Sequence, residues 1–397
     1  MNRKKIHGIT IISLIITIVI LLILAGITIT LMIDENSLIN QTAKTRKIVS
    51  NSKVEEEKQV DIMDEIIDSD GDDYIKDDEL DENNYLKTFI TEWSVNDGDT
   101  IVLPIYQKQE TDEERGEIET YFNYDFQVDY GDGTITQVKS YDDVNRIHTY
   151  KKGGIYNVKI NGKCEAFSFN YVEDSKEKIT KLIQWGVISA KHYDFASCIN
   201  LAGEIPLPSK NSFKYVESFR LLFYKCASLT GTIPNTLFKY APNVISMGNI
   251  FNFTTGLECS IPNKLFYWNE KVTNFRYAFA GSNFIGEIPS DLFINNREAK
   301  NFRGVFSQCI NLTGTLSKDL FKNNTKLQVL SELLSRNRNI KVKELYLSSS
   351  EIIEAGGMGI VYDRTNIITI YVPKNSETEN TFKKTFETYD NIIVKEY

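Results

Sequence analysis

A repeat with a period of about 28 residues in the second half of the chain limits the possible folds more than any other feature. Ile-Pro pairs mark the unit at near-constant spacing, and Ser317 takes the fifth place in the series: Pro206, Pro234, Pro262 and Pro289. A phenylalanine column keeps the same period: Phe195, Phe223, Phe251, Phe279 and Phe306. Another apolar column follows six residues later: Leu201, Leu229, Leu257, Ile285 and Leu312. A unit this short cannot bury its apolar side chains alone, whereas stacked copies share a continuous core. The repeat therefore predicts a solenoid over residues 173–345.

Each proline after the first is followed by a Leu-Phe pair, which gives the unit the pattern F-x-x-C/S-x-x-L-x-G-x-I-P-x-x-L-F. This pattern resembles the BspA-like leucine-rich repeats of bacterial surface proteins. The resemblance implies an extracellular solenoid that attaches to host or matrix ligands and performs no chemistry. Apolar segments up to Ile392–Val394 predict a C-terminal β cap over residues 346–397, because the open end of a solenoid has to be covered for solubility.

Three of the five cysteines share one repeat column, three residues after the phenylalanine: Cys198, Cys226 and Cys309. Thr254 and Ser282 fill the other two places in this column. Exchange of cysteine with serine and threonine indicates a small buried position, and no C-x-x-C spacing points to a metal. A disulfide between Cys198 and Cys226, which are neighbours in the stack, stays open as the alternative.

The N-terminus carries the features of a membrane anchor. Three basic residues at positions 3–5 precede an uncharged apolar run from Ile9 to Ile33, which as a helix spans about 37 Å and can cross a bilayer. Asp34 and Glu35 follow the run, so the basic flank is expected to stay in the cytoplasm. A cleaved secretory signal is disfavoured, because its apolar core is shorter. The sequence thus predicts a single-pass protein of the cell membrane, with transmembrane helix 9–33 and an extracellular C-terminal ectodomain.

The same region resembles the prepilin N-terminus of type IV pilins and type II secretion pseudopilins, through a K-K-I-H-G motif that ends at Gly8. The resemblance implies that residues 1–8 are a leader, that a prepilin peptidase cuts after Gly8, and that Ile9 becomes the methylated N-terminus. Ser13 stands where pilins have the glutamate that helps to align subunits in a filament, so processing is better supported than polymerisation. A signal anchor without processing is the alternative.

An acidic segment follows the anchor. Residues 34–66 are polar and predict a helical stalk, and residues 55–82 hold 15 acidic against 2 basic side chains. Within residues 67–83 the spacing matches the calcium loop of EF-hands, at positions 1, 3, 5, 7 and 12: Asp68, Asp70, Asp72, Tyr74 and Glu79. Asp73 stands at position 6, where this loop normally has glycine. The segment predicts a Ca2+ site, and a disordered acidic linker is the alternative.

Residues 84–172 alternate apolar and polar side chains between Gly/Asp turns, which predicts short β-strands: Ile101–Ile105, Tyr124–Val128 and Ile155–Ile160. Two segments, Val128–Thr134 and His148–Ile160, resemble the signature of PKD-type domains. The resemblance implies an immunoglobulin-like β-sandwich, in which His148 forms a hydrogen bond within the fold. No nucleophile motif accompanies His148, so catalysis by this side chain is the less favoured alternative.

Charge divides the chain into an acidic and a basic part. Residues 206–345 contain 18 basic and 9 acidic side chains, although the whole protein has a formal net charge of −9. Five cations between the apolar columns are predicted to form the binding surface: Lys225, Lys239, Arg276, Arg303 and Lys322. Such a surface favours an acidic glycan or an extracellular protein as ligand, because long-range attraction steers anions toward it. No nucleic-acid partner is predicted.

Together these patterns predict a mainly β protein with repeats: an N-terminal transmembrane helix, an immunoglobulin-like sandwich and a leucine-rich-type solenoid with a C-terminal cap. The motifs of zinc proteases, serine hydrolases and phosphate-binding loops are missing from the sequence. We therefore expect a surface-anchored, adhesin-like binding protein and not an enzyme. A minor pilin or pseudopilin subunit of a type IV pilus or secretion filament is the alternative.

Overall fold

The computed structural model describes residues 87–109, 119–172, 175–359 and 367–397. The predicted leader (1–8), transmembrane helix (9–33), stalk (34–66) and calcium loop (67–83) lie outside these ranges. Within the described ranges, no helix has the length and hydrophobicity needed to cross a bilayer.

The regular elements of the described chain are nearly all short strands, which confirms the predicted mainly β class. In chain order the strands are β1 (Phe89–Val95), β2 (Thr100–Val102), β3 (Lys108–Gln109), β4 (Thr120–Tyr121), β5 (Tyr124–Asp129), β6 (Ile135–Val138), β7 (Ile147–Thr149), β8 (Gly154–Cys164), β9 (Ala166–Ser168), β10 (Ile179–Gln184), β11 (His192–Asp194), β12 (Gly314–Thr315), β13 (Ile340–Lys341), β14 (Glu344–Tyr346), β15 (Ile368–Val372) and β16 (Ile392–Glu396). A 3-10 helix covers Val144–Arg146, and the α-helix α1 covers Glu377–Thr385.

The first part of the fold is a five-stranded antiparallel sheet with the strand order β10-β1-β8-β5-β6. Buried and more exposed side chains alternate along β5, so Tyr124, Phe126 and Val128 face the core. β2 pairs with β7 and β3 pairs with β4 in two small sheets. The strands predicted at 124–128 and 155–160 are confirmed as β5 and β8. The strand predicted at 101–105 ends at Val102, because Pro104 has no backbone N–H to contribute to a ladder.

The sheet and the repeats exchange strands at their junction. β10, from the range predicted as repeats, pairs antiparallel with β1 and places Ile179 opposite Trp93. β9, from the range predicted as a separate domain, pairs in parallel with β11 and places Ala166 opposite His192. A hydrophobic core accordingly extends from the first described strand to the last. Both sheets therefore cross the predicted border at 172/173.

From β9 onward the backbone coils into a β-solenoid of about nine turns, which confirms the predicted repeat fold. Parallel bridges connect one residue of each turn to its counterpart in the next: His192, Ser218, Ser246, Asn274, Asn301, Val329 and Glu354. Backbone N–H groups of one turn donate to carbonyls of the next, as Phe223 N does to Ile250 O at 2.9 Å. These hydrogen bonds thus run along the solenoid axis, from coil to coil.

The phenylalanines predicted to form one column are stacked and fully buried. Successive ring centroids lie 6.0, 5.8, 5.9 and 5.7 Å apart along Phe195, Phe223, Phe251, Phe279 and Phe306. The phenylalanines of the Leu-Phe pairs form a second stack with spacings of 5.9, 6.1 and 6.0 Å: Phe238, Phe266, Phe293 and Phe321. Because aromatic pairs contribute more than their buried area alone, the two stacks supply a large part of the apolar packing of the array.

The apolar column predicted six residues after the phenylalanines is confirmed except at Ile285, which is 46% exposed. The coil that starts at Phe279 has one residue fewer before its proline, Pro289, than the other coils. The shortened segment places Phe284 at the buried position of this column. Its ring centroid lies 5.5 Å from that of Phe279. The prediction for Ile285 was wrong because it counted from the phenylalanine and not back from the proline.

The C-terminal strands β14, β15 and β16 form a parallel sheet in which Leu345, Ile370 and Val394 lie opposite one another. The region predicted as a cap therefore continues the parallel stacking of the solenoid. It also contains α1, whose N-terminus is capped by Ser376. The Ser376 hydroxyl accepts the Glu379 N–H at 3.0 Å, and the Glu379 carboxylate accepts the Asn375 N–H at 2.6 Å.

Candidate ligand-binding surface

Two surface positions follow each Leu-Phe pair of the solenoid. The phenylalanine points into the core, and the next two side chains are partly or fully exposed. Across successive coils these positions form two outward columns: Lys239, Tyr267, Ile294 and Lys322 in the first, and Tyr240, Trp268, Asn295 and Asn323 in the second. The repeat therefore displays side chains of different chemistry at regular axial steps.

A buried asparagine closes three of these turns: Asn269, Asn296 and Asn324. The Asn296 Nδ2 group donates to the Phe266 carbonyl at 3.1 Å and to the Asn269 carbonyl at 2.9 Å, both in the preceding coil. The Asn324 Nδ2 group donates in the same way to the Phe293 carbonyl at 3.2 Å and to the Asn296 carbonyl at 2.7 Å, one coil earlier. These bonds satisfy buried carbonyls and fix the backbone that carries the outward columns. This ladder was not predicted, although its asparagines recur with the period of the repeat.

Three aromatic rings and two lysines gather on two successive coils, and we call them the aromatic–lysine cluster: Lys239, Tyr240, Lys264, Tyr267 and Trp268. The Lys239 ammonium lies 5.3 Å from the Tyr240 ring centroid and 5.9 Å from the Trp268 ring centroid. The Lys264 ammonium lies 5.5 Å from the Tyr267 centroid, and the Tyr267 and Trp268 rings meet edge to face at 5.6 Å. Sequence reasoning selected only Lys239, although alignment of the coils places Tyr267 in the same column.

Two other predicted cations also lie against rings. The Lys225 ammonium is 5.0 Å from the Tyr224 centroid, and the Arg276 guanidinium is 5.3 Å from the Tyr277 centroid. The backbones of both residues take part in the hydrogen bonds between coils, and the Lys225 backbone has a left-handed φ of 58°. A cation over an aromatic face keeps its full charge, while the ring shields part of the cation from water.

The remaining two predicted cations are ion-paired. Arg303 bonds the Glu354 carboxylate through Nη2, and its Nε lies 3.5 Å from the Glu332 carboxylate. The Lys322 ammonium lies 3.7 Å from the Asp319 carboxylate. Nearby carboxylates weaken the attraction of these cations for an anion. The five predicted binding residues therefore fall into two groups: Lys225, Lys239 and Arg276 lie against rings, and Arg303 and Lys322 lie against acids.

A buried group of ionisable side chains lies where β9 meets β11. The Tyr106 hydroxyl is 2.7 Å from His192 Nδ1, and the Ser168 hydroxyl donates to the Asp194 carboxylate. Burial lowers the pKa of His192 to about 4 and raises the pKa of Asp194 to about 6. Because Ser168 binds the carboxylate and not the imidazole, the group lacks the serine–histidine contact of nucleophilic catalysis.

His148 forms a hydrogen bond within the fold, as predicted. Its Nε2 lies 2.9 Å from the Asp132 carboxylate, and its ring stacks on Tyr130 with a centroid distance of 4.2 Å. The Tyr150 ring packs edge to face against the same imidazole, with 4.6 Å between the centroids. The imidazole is therefore part of the packing at this end of the sheet.

The cysteine column consists of buried free thiols. The Cys226 thiol donates to the Phe195 carbonyl at 3.1 Å, and the Cys309 thiol donates to the Phe279 carbonyl at 3.0 Å. The Thr254 hydroxyl makes the same kind of bond, to the Phe223 carbonyl of the preceding coil, at 2.6 Å. The column thus requires a small hydrogen-bond donor, which explains why cysteine alternates with threonine and serine. Burial raises the pKa of Cys309 to about 12, so this thiol stays protonated.

The predicted processing and calcium residues lie outside the described ranges: Gly8, Ile9, Asp68, Asp70, Asp72, Tyr74 and Glu79. Among the residues that the structure does describe, no three His, Cys, Asp or Glu side chains are grouped as a metal site. No protein-family profile, curated protein or solved structure matches the chain.

Proposed function

We propose that the chain is a cell-surface binding protein whose solenoid attaches to an acidic glycan or to an extracellular protein of host or matrix. The observation that carries this proposal is the position of Lys225, Lys239 and Arg276 against surface aromatic rings. A cation over a ring keeps its charge and is partly desolvated, so it remains able to attract an anion. Stacked coils hold these groups at fixed spacing, which suits recognition better than chemistry.

Charge supports an acidic ligand. Residues 206–345 carry 18 basic and 9 acidic side chains, a net charge of +9. This part of the chain therefore attracts anions over a distance set by the ionic strength. The repeat pattern supports an array of the BspA-like leucine-rich type, and the Asp132–His148 contact supports a PKD-like, immunoglobulin-like sandwich before it.

The N-terminal sequence supplies the attachment to the cell. A prepilin-like segment, cut after Gly8 by a prepilin peptidase, leaves Ile9 at the start of a transmembrane helix with the solenoid outside the cell. Calcium bound by the acids of residues 67–83 orders the segment between anchor and sheet. Both elements are proposed from sequence spacing and complete the architecture of a tethered, non-enzymatic adhesin.

Binding is tested with the full-length protein in detergent, on an array of acidic glycans, neutral glycans and matrix proteins at low and physiological ionic strength. We expect acidic glycans to bind, with affinity that falls as salt screens the cations. Lys239→Gln is expected to weaken binding. Lys326→Gln, which removes a lysine already paired with Glu298 at 2.5 Å, is the matched control and is expected to change it little. Binding that is absent, or indifferent to salt, contradicts the proposal.

Display on the cell is tested by immunogold labelling of intact cells. Diffuse label over the envelope is the expected result for a tethered adhesin. Label confined to lateral filaments supports the minor pilin or pseudopilin role and contradicts the tethered form.

A further inference from the structure

We infer that the aromatic–lysine cluster is a subsite for one uronic-acid residue of an acidic polysaccharide. The inference rests on the proposed function and deepens it by naming the place and the chemistry of the contact. The aromatic side chains take the sugar ring, and Lys239 and Lys264 take the carboxylate.

Trp268 is the tryptophan whose position the folding of the chain does not explain. Trp93 and Trp185 are fully buried, whereas Trp268 stays partly exposed at the surface. The buried indoles donate to Thr91 at 2.8 Å and to Pro206 at 2.7 Å, while the Trp268 indole has no acceptor in the described part of the chain. A large apolar ring that keeps a spare donor at the surface is typical of a ligand contact.

The neighbours of Trp268 extend its apolar surface along the solenoid. Tyr267 is 36% exposed, and Ile294, the next residue in the same column, is 40% exposed. A pyranose ring presents C–H groups that carry a slight positive charge, and these fit the negative face of an aromatic ring. An acidic peptide or a phosphate chain uses the lysines but gains nothing specific from these rings. The strip therefore favours a sugar over other anions.

The two lysines supply the charge that a uronic acid needs. Neither ammonium forms an ion pair with a carboxylate of the described residues, in contrast to Lys326, which lies 2.5 Å from Glu298. The carboxylate of a uronic acid projects from the edge of its ring. A ring stacked on Tyr267 or Trp268 therefore brings the carboxylate toward ammonium groups that lie 5.5 and 5.9 Å from these two centroids. Each lysine then exchanges a cation–π contact for a stronger, charge-assisted hydrogen bond.

Position in the coil makes the subsite rigid. Asn269 follows Trp268 directly and donates to the Phe238 and Ala241 carbonyls of the preceding coil, at 3.0 Å each. Phe266, which precedes Tyr267, is fully buried between its neighbours in the second phenylalanine stack. The backbone that carries the two surface rings is thus fixed from both sides, and little backbone freedom is lost when a ligand binds.

The test compares three polymers in order to separate the contribution of the sugar rings from that of the carboxylate charges. Polygalacturonate offers rings and carboxylates, its methyl ester offers rings without charge, and polyglutamate offers charge without rings. Binding of the full-length protein in detergent is measured by biolayer interferometry, for the parent and for Trp268→Ala, Trp268→Phe and Lys239→Gln. Tyr215→Ala is the matched control, because Tyr215 is also exposed and also pairs with a lysine, Lys214 at 5.5 Å, in another column.

We expect polygalacturonate to bind the parent most tightly of the three. Trp268→Ala is expected to raise the Kd at least about tenfold, a loss of about 1.4 kcal/mol, while Trp268→Phe retains most of the affinity and Tyr215→Ala changes it less than about twofold. Thermal unfolding of each variant checks that the fold is retained.

The outcomes distinguish this inference from the proposed function. If polygalacturonate binds in a salt-dependent way but Trp268→Ala leaves the Kd unchanged, the subsite is wrong and the surface function stands. Polyglutamate that binds as tightly as polygalacturonate also overturns the subsite, because charge alone is then recognised. A parent protein that binds no acidic polymer at any ionic strength overturns both.

Discussion

The rings of Phe251 and Phe279 stack nearly parallel, with 5.9 Å between their centroids and 15° between their planes. They occupy equivalent places in successive coils, and both are fully buried. Each ring also contacts the phenylalanine of the coil on its other side. Each coil is therefore stabilised by its contacts with the coils on both sides, as expected for a repeat array with nearest-neighbour contacts.

Phe279→Ala is expected to lower the free energy of unfolding by about 3–5 kcal/mol, because truncation leaves a cavity between two coils that cannot collapse. Chemical denaturation measures this loss, and hydrogen exchange is expected to rise first in the adjacent coils. Phe253→Ala is the control, because Phe253 is 39% exposed and its loss costs about 1 kcal/mol at most. Equal losses in the two variants contradict the buried column.

The asparagine ladder predicts a second, smaller loss. Asn296→Ala removes two donors from buried carbonyls, so the free energy of unfolding is expected to fall by about 1–3 kcal/mol. Its sequence neighbour Asn295 makes one bond at the surface, to the Tyr267 carbonyl at 3.1 Å, and Asn295→Ala is expected to cost less. A larger effect at position 295 than at 296, measured in the same urea titration, argues against the ladder.

The buried pair at the junction predicts opposite pH effects. Because burial lowers the pKa of His192 from 6.5 to about 4, its contribution to stability is present above pH 6.5 and lost as the pH falls through 4. The pKa of Asp194 is raised from 3.8 to about 6, so its contribution is full below 3.8 and lost as the pH rises through 6. Relative to the parent, His192→Gln is therefore expected to gain stability toward acid, and Asp194→Asn toward neutral pH. Urea denaturation across this window measures both slopes, and slopes of the same sign contradict the assignment.

Calcium is expected to bind the full-length protein at a single saturable site formed by Asp68, Asp70, Asp72, Tyr74 and Glu79. Isothermal calorimetry is expected to show this site in the parent and to lose it in Asp70→Ala. Asp81→Ala, in the same acidic stretch but beyond position 12 of the loop, is the control that retains binding. Heat no greater than that of buffer dilution in the parent returns the segment to a linker.

Processing is expected to leave Ile9 as the mature N-terminus, carrying an N-methyl group. Terminal-peptide mass spectrometry of the protein from its native membrane reads the cleavage directly, and Gly8→Val is expected to block it. A parent protein that starts at Met1 or Asn2 leaves the segment as a signal anchor without processing.

The repeat period predicted the buried phenylalanines because a side chain that recurs once per coil faces the same way in every coil. The same period could not show that β10 joins the N-terminal sheet, since strand exchange depends on which edges are free when the first coil forms. It also misplaced Ile285, because the shortened coil keeps its register from the proline and not from Phe279. The period of the repeat determines which way a side chain faces. The number of residues in each coil determines which residue takes the buried position.

The surface was less accessible to sequence reasoning than the core. Charge alone selected Lys239 and Arg303 equally, yet Arg303 pairs with Glu354, 51 residues further along the chain, and Lys239 meets Trp268 in the next coil. Such partners become visible only when coils are stacked. Trp268 was not predicted as a surface contact, because its neighbour Lys239 lies in another coil and is brought beside it only by the stacking.

The hydrogen bonds that join one coil to the next run along the solenoid axis. Force along the solenoid axis acts on all the bonds of a coil together, and a coil that yields releases one full repeat of chain. At about 3.4 Å per residue, each such event adds about 95 Å of length in exchange for about 5 Å of stacked height. Each coil can thus unfold separately and lengthen the chain by a similar amount. A sustained pull therefore lengthens the molecule in steps while the remaining coils keep their shape.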